Sequence, residues 1–338
     1  MSGFTDAGVL IRLAYQAMQD MGVDAFEVLR RIGLKHEQLA EKDLRTPHSA
    51  QNLFWSVIED VTGDSDIGLH LGQNIPVFKG QVLEYLFLSS ETFGEGLKRA
   101  LNYQRLLSDA VNATLDQDDK GFYVGNITFS GGIRHLTECV VIGVLKFFDY
   151  VTEGAFVPLE IHFEHEAGSS PEEYARVFHC PVYFNQPGNR IYFAPEIMSL
   201  HSSHAEPELL RLHEQLASEH VAKLEKQDFI AKVNRLIGEL LESGNANLET
   251  VAERLGIKPR SLRTKLSEVD TNFNQLLADY RCNLAKKLLA RTDESIDEIV
   301  YLTGFSEPST FYRAFKRWVG LTPVEYRKSK QKSLLDDG

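Results

Sequence analysis

The sequence has little cysteine, no long apolar run and no surplus of positive charge. Its three cysteines, Cys139, Cys180 and Cys282, are far apart and form no close pair, so neither a disulfide framework nor a zinc site is implied. No uninterrupted apolar stretch reaches the roughly 20 residues that a membrane helix requires. The first residues, Met1 to Asp20, mix acidic and polar side chains with apolar ones, so a cytoplasmic location with no membrane partner is expected. There is no Gly-x-Ser-x-Gly, no phosphate-binding loop and no dinucleotide fingerprint. An enzyme would have no nucleophile or cofactor site to use, and neither catalytic residues nor a cofactor are expected.

The charge is acidic overall, with 36 Lys and Arg against 48 Asp and Glu, which argues against indiscriminate nucleic-acid binding. It is also uneven. From Lys226 to Gly338 there are 19 basic and 16 acidic residues, whereas Met1 to Glu225 carries 17 and 32. A mildly basic third joined to a strongly acidic body implies two domains, 1–225 and 226–338, with a boundary in the polar stretch Glu225 to Asp228. At 338 residues the chain is long enough for two ordinary cores.

The body reads as α+β. Helical spacing runs through Val9, Leu10, Leu13, Ala14 and Ala17, again through Leu53, Phe54, Val57, Ile58 and Val61, and through Leu97 to Leu107. From Ala113 the rhythm changes to β-formers between Gly, Asp and Pro. The spacing predicts two strands ending with Phe122 to Phe129, a covered helix over Leu136 to Tyr150, a strand at Leu159 to Phe163 and a helix at Pro171 to Phe178. Val182 to Phe184 and Arg190 to Phe193 flank a turn at Gln186 to Asn189 and read as a hairpin. Glu206 to Lys223 is an amphipathic helix with Leu209, Leu212, Leu216 and His220 on one side. Packing within its own domain is the first expectation for that face, and a homodimer seam is the alternative.

The C-terminal third carries a duplicated pattern. Leu248, Val251, Ala252, Leu255, Gly256 and Ile257 precede Leu262 and Leu266; about fifty residues later Ile296, Ile299, Val300, Thr303, Gly304 and Phe305 precede Phe311 and Phe315. Each copy reads as two helices crossing at a small residue, Ala252 or Val300, and joined by a turn that Gly256 or Gly304 permits. Two helix-turn-helix units make an all-α domain and imply a double-stranded DNA operator as partner. Between them Phe273, Leu276, Leu277, Tyr280, Leu284 and Leu288 keep helical spacing. Such a connecting helix would hold the reading helices near the ~34 Å separation of successive major grooves.

In the first unit Lys258, Arg260, Ser261, Arg263, Thr264 and Lys265 fall on eight consecutive positions without an acid. Arginine forks match the guanine O6 and N7 acceptors, and a helix N-terminus approaches phosphate favourably. In the second unit Ser309, Thr310, Tyr312, Arg313, Lys316 and Arg317 are the candidates, with Glu307 opposing a phosphate, so that unit is expected to position more than to discriminate. Ser295 to Glu298 reads as a capping box, and Pro308 suits a first helical turn.

Residues 229–328 resemble the AraC/XylS transcription regulators, on the run Ile296 to Ser306, Phe311, Arg313, Phe315, Lys316, Gly320, Thr322, Pro323, Tyr326 and Arg327. The resemblance implies that Arg260, Arg263, Thr264, Ser309, Tyr312 and Arg313 read bases, and that an activator of this kind would also meet RNA polymerase. Asp270 stands where such relatives often have glycine. Gly68 to Gln73, Leu86 to Asp109 and Cys180 to Pro195 resemble the arabinose-binding-type effector domain of the same family, which implies a small-molecule effector. Haem is not expected, because Leu97 to Leu107 lacks a histidine. Phe122, Tyr123, Phe129, Phe147, Phe148, Tyr150, Phe163, Tyr183 and Phe193 are core candidates that could line an apolar cavity. His162 and His165 are expected on opposite faces of one strand, and His201 and His204 at a surface edge, so no metal site is expected. The alternative to effector control is a body that serves only assembly or a protein partner.

Overall fold

The computed structural model describes residues 3–127, 132–241 and 243–336. The chain separates into two compact units, residues 3–222 and the residues from 223 onward. The first unit starts with β1 (Thr5–Ala7), α1 (Gly8–Asp20) and α2 (Ala25–Arg31), and β2 (Arg45–Pro47) pairs antiparallel with β1. The helices α3 (Ala50–Thr62), α4 (Ile67–Asn74), α5 (Val82–Leu88) and α6 (Phe93–Asn102) follow. Their apolar stripes converge, leaving Ala17, Met18, Val28, Ile58, Leu69 and Leu71 essentially without exposure, as helical periodicity requires of faces that meet in one core.

The helix expected to reach Leu107 stops at Asn102 and continues as a tight turn, Gln104–Leu106. Its exit is fixed by Gln104, whose side-chain amide accepts from Ala113 N at 2.7 Å and donates to Ala113 O at 3.1 Å. The chain is thereby led into β3 (Thr114–Asp118) and β4 (Gly121–Gly125), then α7 (Arg134–Val151), β5 (Pro158–His162), α8 (Pro171–Phe178), β6 (Val182–Tyr183) and β7 (Arg190–Phe193). Phe129 lies outside the described residues. His165 falls beyond the end of β5 rather than on its opposite face, and its Nδ1 is 2.7 Å from Glu166 O.

The sheet order is β3-β4-β7-β5-β6, which corrects the expected hairpin. β7 enters between β4 and β5, antiparallel to both, and β6 lies parallel to β5 at the edge. Burial explains the choice: Ile191, Tyr192 and Phe193 are almost wholly covered, whereas Tyr183 is exposed. The apolar strand takes the interior place, and Asn189 pins its start by accepting from Glu164 N at 2.9 Å and donating to Ile127 O at 3.1 Å.

Helix α7 packs along α4, and two glycines permit the approach. A Cβ on Gly68 would stand 2.5 Å from His135 Cα, and one on Gly72 would stand 2.8 Å from Ile142 Cδ1. Spaced four apart, they clear one face of α4 for α7.

The expected break at Glu225 to Asp228 is absent, because α9 runs without interruption from Pro207 to Leu241. Residues 225–228, Glu-Lys-Gln-Asp, are polar but contain no Gly or Pro, and most have good helix propensity. Early in α9, Leu210 and Ala217 pack against Leu83 and Leu86, while His213 stacks on Tyr85 at 5.2 Å. Leu209, Leu212 and Leu216 stand 48, 49 and 46 % exposed. Packing within the body, the first expectation for that stripe, therefore fails, because the inward face is the neighbouring row of Leu210, His213 and Ala217.

The second unit is helical: the end of α9, then α10 (Leu248–Arg254), α11 (Pro259–Ser267), α12 (Phe273–Arg291), α13 (Ile296–Leu302), α14 (Pro308–Val319) and α15 (Pro323–Asp336). It has two cores strung along α12. Val233, Ile237, Val251, Ala252, Leu262 and Leu266 join Phe273 and Leu276 in the first. Ile299, Val300, Phe311 and Phe315 join Ala285 and Leu289 in the second.

Candidate nucleic-acid interface and body cavity

Each helix pair is built as its apolar spacing demands. Ala252 is fully buried and Val300 nearly so where the helices cross, and the turns pass through Gly256 at φ +68° and Gly304 at φ +70°. These values lie in the left-handed region, where a side chain is strained. Asp270 takes the same conformation at φ +56°, so the turn after α11 keeps a glycine-like geometry without glycine. Asp is among the residues that tolerate it.

Capping separates the reading helices from their neighbours. Asn247, Asn272 and Ser295 each accept a backbone N–H through their side chains at the starts of α10, α12 and α13. The Ser295 oxygen takes Glu298 N at 3.1 Å. By contrast α11 and α14 both begin with proline and have no side-chain cap, so no side chain satisfies their first-turn N–H groups; in α14 the Thr310 N–H turns back to Glu307 O at 3.2 Å. The tail that follows is fixed by the residues the sequence singled out. Gly320 ends α14 at φ +81°. Thr322 Oγ1 accepts from Glu325 N at 3.3 Å, and Glu325 accepts from Thr322 N at 2.8 Å, a reciprocal cap on α15. The Thr322 backbone N–H, and then its hydroxyl, hold the Glu325 carboxyl below its ordinary value.

On α11 and its entry, Lys258, Arg260, Ser261, Arg263, Thr264 and Lys265 are all exposed, while Leu262 and Leu266 are buried beneath them. Thr264 Oγ1 donates back to Arg260 O at 3.1 Å. Arg263 lies 3.6 Å from Glu249 of α10, a surface pair of the kind worth at most ~1 kcal/mol and easily exchanged. On α14, Ser309, Thr310, Arg313, Lys316 and Arg317 are exposed, and Tyr312 is half-buried against Phe311 at 6.1 Å. Thr310, Arg313 and Arg317 also border a cleft of about 410 Å³ beside α12.

Sequence reasoning missed Arg281. From α12 it donates through Nη2 to Gly304 O at 2.7 Å and stacks 4.6 Å from the Phe305 ring centre. Burial lowers its pKa, yet an arginine stays charged. It ties the second turn to the connecting helix. Its only sequence signal was one cation among several on that helix, beside Lys286, Lys287 and Arg291, which reads equally well as a solvated side chain.

The body contains a cavity of about 460 Å³ between β1, α1, α3, α4, α6 and α7. Of the aromatic residues considered as lining, Phe147 and Phe148 border it, whereas Phe163 and Phe193 are sheet core and Tyr183 is exposed. The walls are mostly helical rather than strand-borne. Among the described residues no group of three or more His, Cys, Asp or Glu is placed to hold a metal, and no helix is long and apolar enough to cross a membrane.

Two helix pairs presenting uncapped, basic second helices from a shared connector define a DNA-binding domain of the duplicated helix-turn-helix class. Comparison with known proteins makes this specific. Residues 22–202 match the model of the arabinose-binding domain of AraC transcription regulators, N-terminal part, and residues 251–329 match a helix-turn-helix domain model. Over 272 residues the chain is 29 % identical to the ornithine utilization regulator of Pseudomonas aeruginosa, covering 79 % of this chain and 80 % of that protein. It is 26 % identical over 168 residues to the regulator VirS of Mycobacterium tuberculosis, about half of each chain. Among solved structures, the transcriptional regulator CdpR from Pseudomonas aeruginosa matches with TM-score 0.44 and 19 % identity, over 88 % of this chain and 97 % of that one. The DNA-binding domain of AdpA, solved with a target DNA, matches with TM-score 0.28 and 28 % identity, over 31 % of this chain and 94 % of that one. The chain belongs to the AraC family: it is a DNA-binding transcription regulator and not an enzyme.

Proposed function

We propose that this regulator reads its operator chiefly through α11, and that a small molecule held in the body cavity controls how it does so. The observation that carries the reading is the acid-free, fully exposed basic face of α11 above a helix start with no side-chain cap. Arg260, Arg263 and Thr264 are the base readers in this scheme, and the open N–H groups take a phosphate. Lys258, Ser261 and Lys265 flank them on the backbone. On α14, Ser309 and Arg313 touch bases while Thr310, Lys316 and Arg317 position the helix. Tyr312, half-buried, contributes an edge rather than a whole side chain.

Alanine at Arg260 or Arg263 is expected to cost ~1–3 kcal/mol and relax preference at one base pair. Alanine at Lys316 weakens all operators about equally and flattens the salt dependence. Gel shifts against an operator library check this. Uniform loss for the arginine variants would place those side chains on phosphate instead.

Control enters through the body. The exposed stripe Leu209, Leu212 and Leu216 is the seam on which a second copy pairs, and ligand occupancy biases that pairing or the packing of α9. Linkage then requires operator DNA to change ligand affinity by the same factor as ligand changes operator affinity.

A further inference from the structure

The cavity walls are apolar on almost every side: Leu10, Ala14, Leu97, Leu101, Val140 and Val144 come from three helices, and the lining contains no Lys, Arg or Glu. Its volume falls within the ~300–1,000 Å³ of pockets that enclose small organic ligands. Space is genuinely open at α7, where a Cβ added to Gly143 would meet nothing within 4 Å, although Ile142 and Val144 flank it.

Polar groups in the lining are few and mostly committed to one another. Asp6 is buried, and its carboxylate takes Ser108 Oγ at 2.6 Å, Gln51 Nε2 at 2.8 Å and His48 Nδ1 at 3.0 Å. The Gln104 amide is spent on Ala113. Burial pushes the Cys139 thiol up to about 12, so it stays neutral. A ligand carboxylate would meet no Lys or Arg here, and the one histidine in the lining, His48, is already held by Asp6; a ligand ammonium would have to displace a donor from Asp6. Either would leave a buried charge without compensation. One group is different. Trp55 lines the cavity, is 4 % exposed, and its indole Nε1–H has no hydrogen-bond partner among the described residues. Indole is a donor only, so what it lacks is an acceptor.

We infer that the cavity takes an uncharged, largely apolar molecule with one hydrogen-bond acceptor, of the ketone, ester or lactone class, whose acceptor meets Trp55. This deepens the effector reading above and rests on it. The apolar body of the ligand supplies most of the affinity by leaving water, and the single acceptor satisfies a donor that is otherwise costly to bury. A route outward exists inside the same unit. Phe78, Leu83 and Leu107 border the cavity and also pack in the cluster that contains Leu210 and Ala217 of α9. Filling the cavity therefore presses on the residues that seat the start of α9.

The test uses the full chain. Trp55 and Trp318 are its two tryptophans, so in a Trp318→Phe background emission reports on Trp55 alone. Methyl nonyl ketone and acetophenone are expected to change that emission saturably and to raise Tm, while undecanoate and ornithine at equal concentration do neither. Gly143→Leu fills the space without a Cβ clash; it abolishes both ketone responses while the far-ultraviolet circular dichroism and the unliganded Tm are kept. Trp55→Phe, followed by Tm, weakens ketone binding up to roughly tenfold, the effect of one neutral hydrogen bond. Ketone binding unaffected by Gly143→Leu, no response to either ketone, or tighter binding of undecanoate or ornithine overturns the ligand class. In the last case effector control itself stands. Ketone binding that leaves operator affinity unchanged supports the ligand class and removes the regulatory reading.

Discussion

The two helix-turn-helix units share a plan and differ in what holds their turns. At Gly256 a Cβ would meet nothing within 4 Å, whereas at Gly304 it would stand 3.0 Å from Leu241 Cδ1 and 3.2 Å from Leu241 O. The Gly304 carbonyl is further tied to Arg281. Beneath the first reading helix the core is mostly aliphatic; beneath the second, Phe311 and Phe315 are fully buried and partly covered by Phe305, Trp318 and Tyr326. The first turn thus has open space at its glycine, with Leu255 and Ile257 seated on the core to either side, and the helix after it carries the denser exposed basic face. The second is braced by tertiary contacts and offers a sparser one. The same motif is held in one copy with little around its turn glycine and in the other by contacts from distant residues.

The largest effect that can test this contrast lies in the aromatic core. Phe315→Ala is expected to destabilise the second unit by ~3–5 kcal/mol, against ~2–5 for Leu266→Ala in the first. Urea unfolding followed by far-ultraviolet circular dichroism compares them, with Trp318 emission, in a Trp55→Phe background, marking the second core separately. Trp318 lies 6.1 Å from the Phe305 ring and therefore reports on the second core. A larger loss from Leu266→Ala would reverse the assignment of which unit is the braced one.

Smaller but sharper is the pair of turn glycines. Gly256→Ala should cost ~1–2 kcal/mol, the left-handed penalty alone. Gly304→Ala bears the same penalty plus a displacement of Leu241, so it should cost more, and operator affinity should fall with it. Equal costs in thermal or urea unfolding would show that Leu241 yields freely and that the bracing is nominal.

Much of this organisation was legible in the residues because its causes are local. Gly256, Gly304, Ala252, Val300, Pro308 and the Ser295 cap each follow from a backbone conformation or a helix crossing that few residues satisfy. What was hidden depends on partners distant in sequence. The place of β7 between β4 and β5 is decided by burial of Ile191 and Phe193 against the helical layer, not by the turn before it. The continuity of α9 through residues 225–228 was masked because polarity suggested a domain boundary while propensity favoured helix. Arg281 and the Trp55 donor acquire their meaning only when the fold brings Gly304 to one and an empty space to the other.

The smallest expected effect concerns the turn that follows the first reading helix. Asp270 sits at φ +56°, where a non-glycine residue is strained by ~1–2 kcal/mol, somewhat less for Asp. Replacing it by glycine removes that strain but loosens the unfolded chain, at a cost of ~0.4–1 kcal/mol. The backbone N–H of Asp270 still reaches Ser267 O at 3.1 Å, so no contact of the turn itself need be lost. The difference favours Asp270→Gly by ~0.5 kcal/mol, a rise of a few degrees at most in a unit of this size. Loss of the carboxylate should also aid DNA binding slightly at low salt, because Asp270 is exposed and repels phosphate. A fall in Tm would mean that Asp270 stabilises this turn by an interaction stronger than its backbone strain, and that the first unit is less dependent on local conformation than the comparison with Gly304 implies.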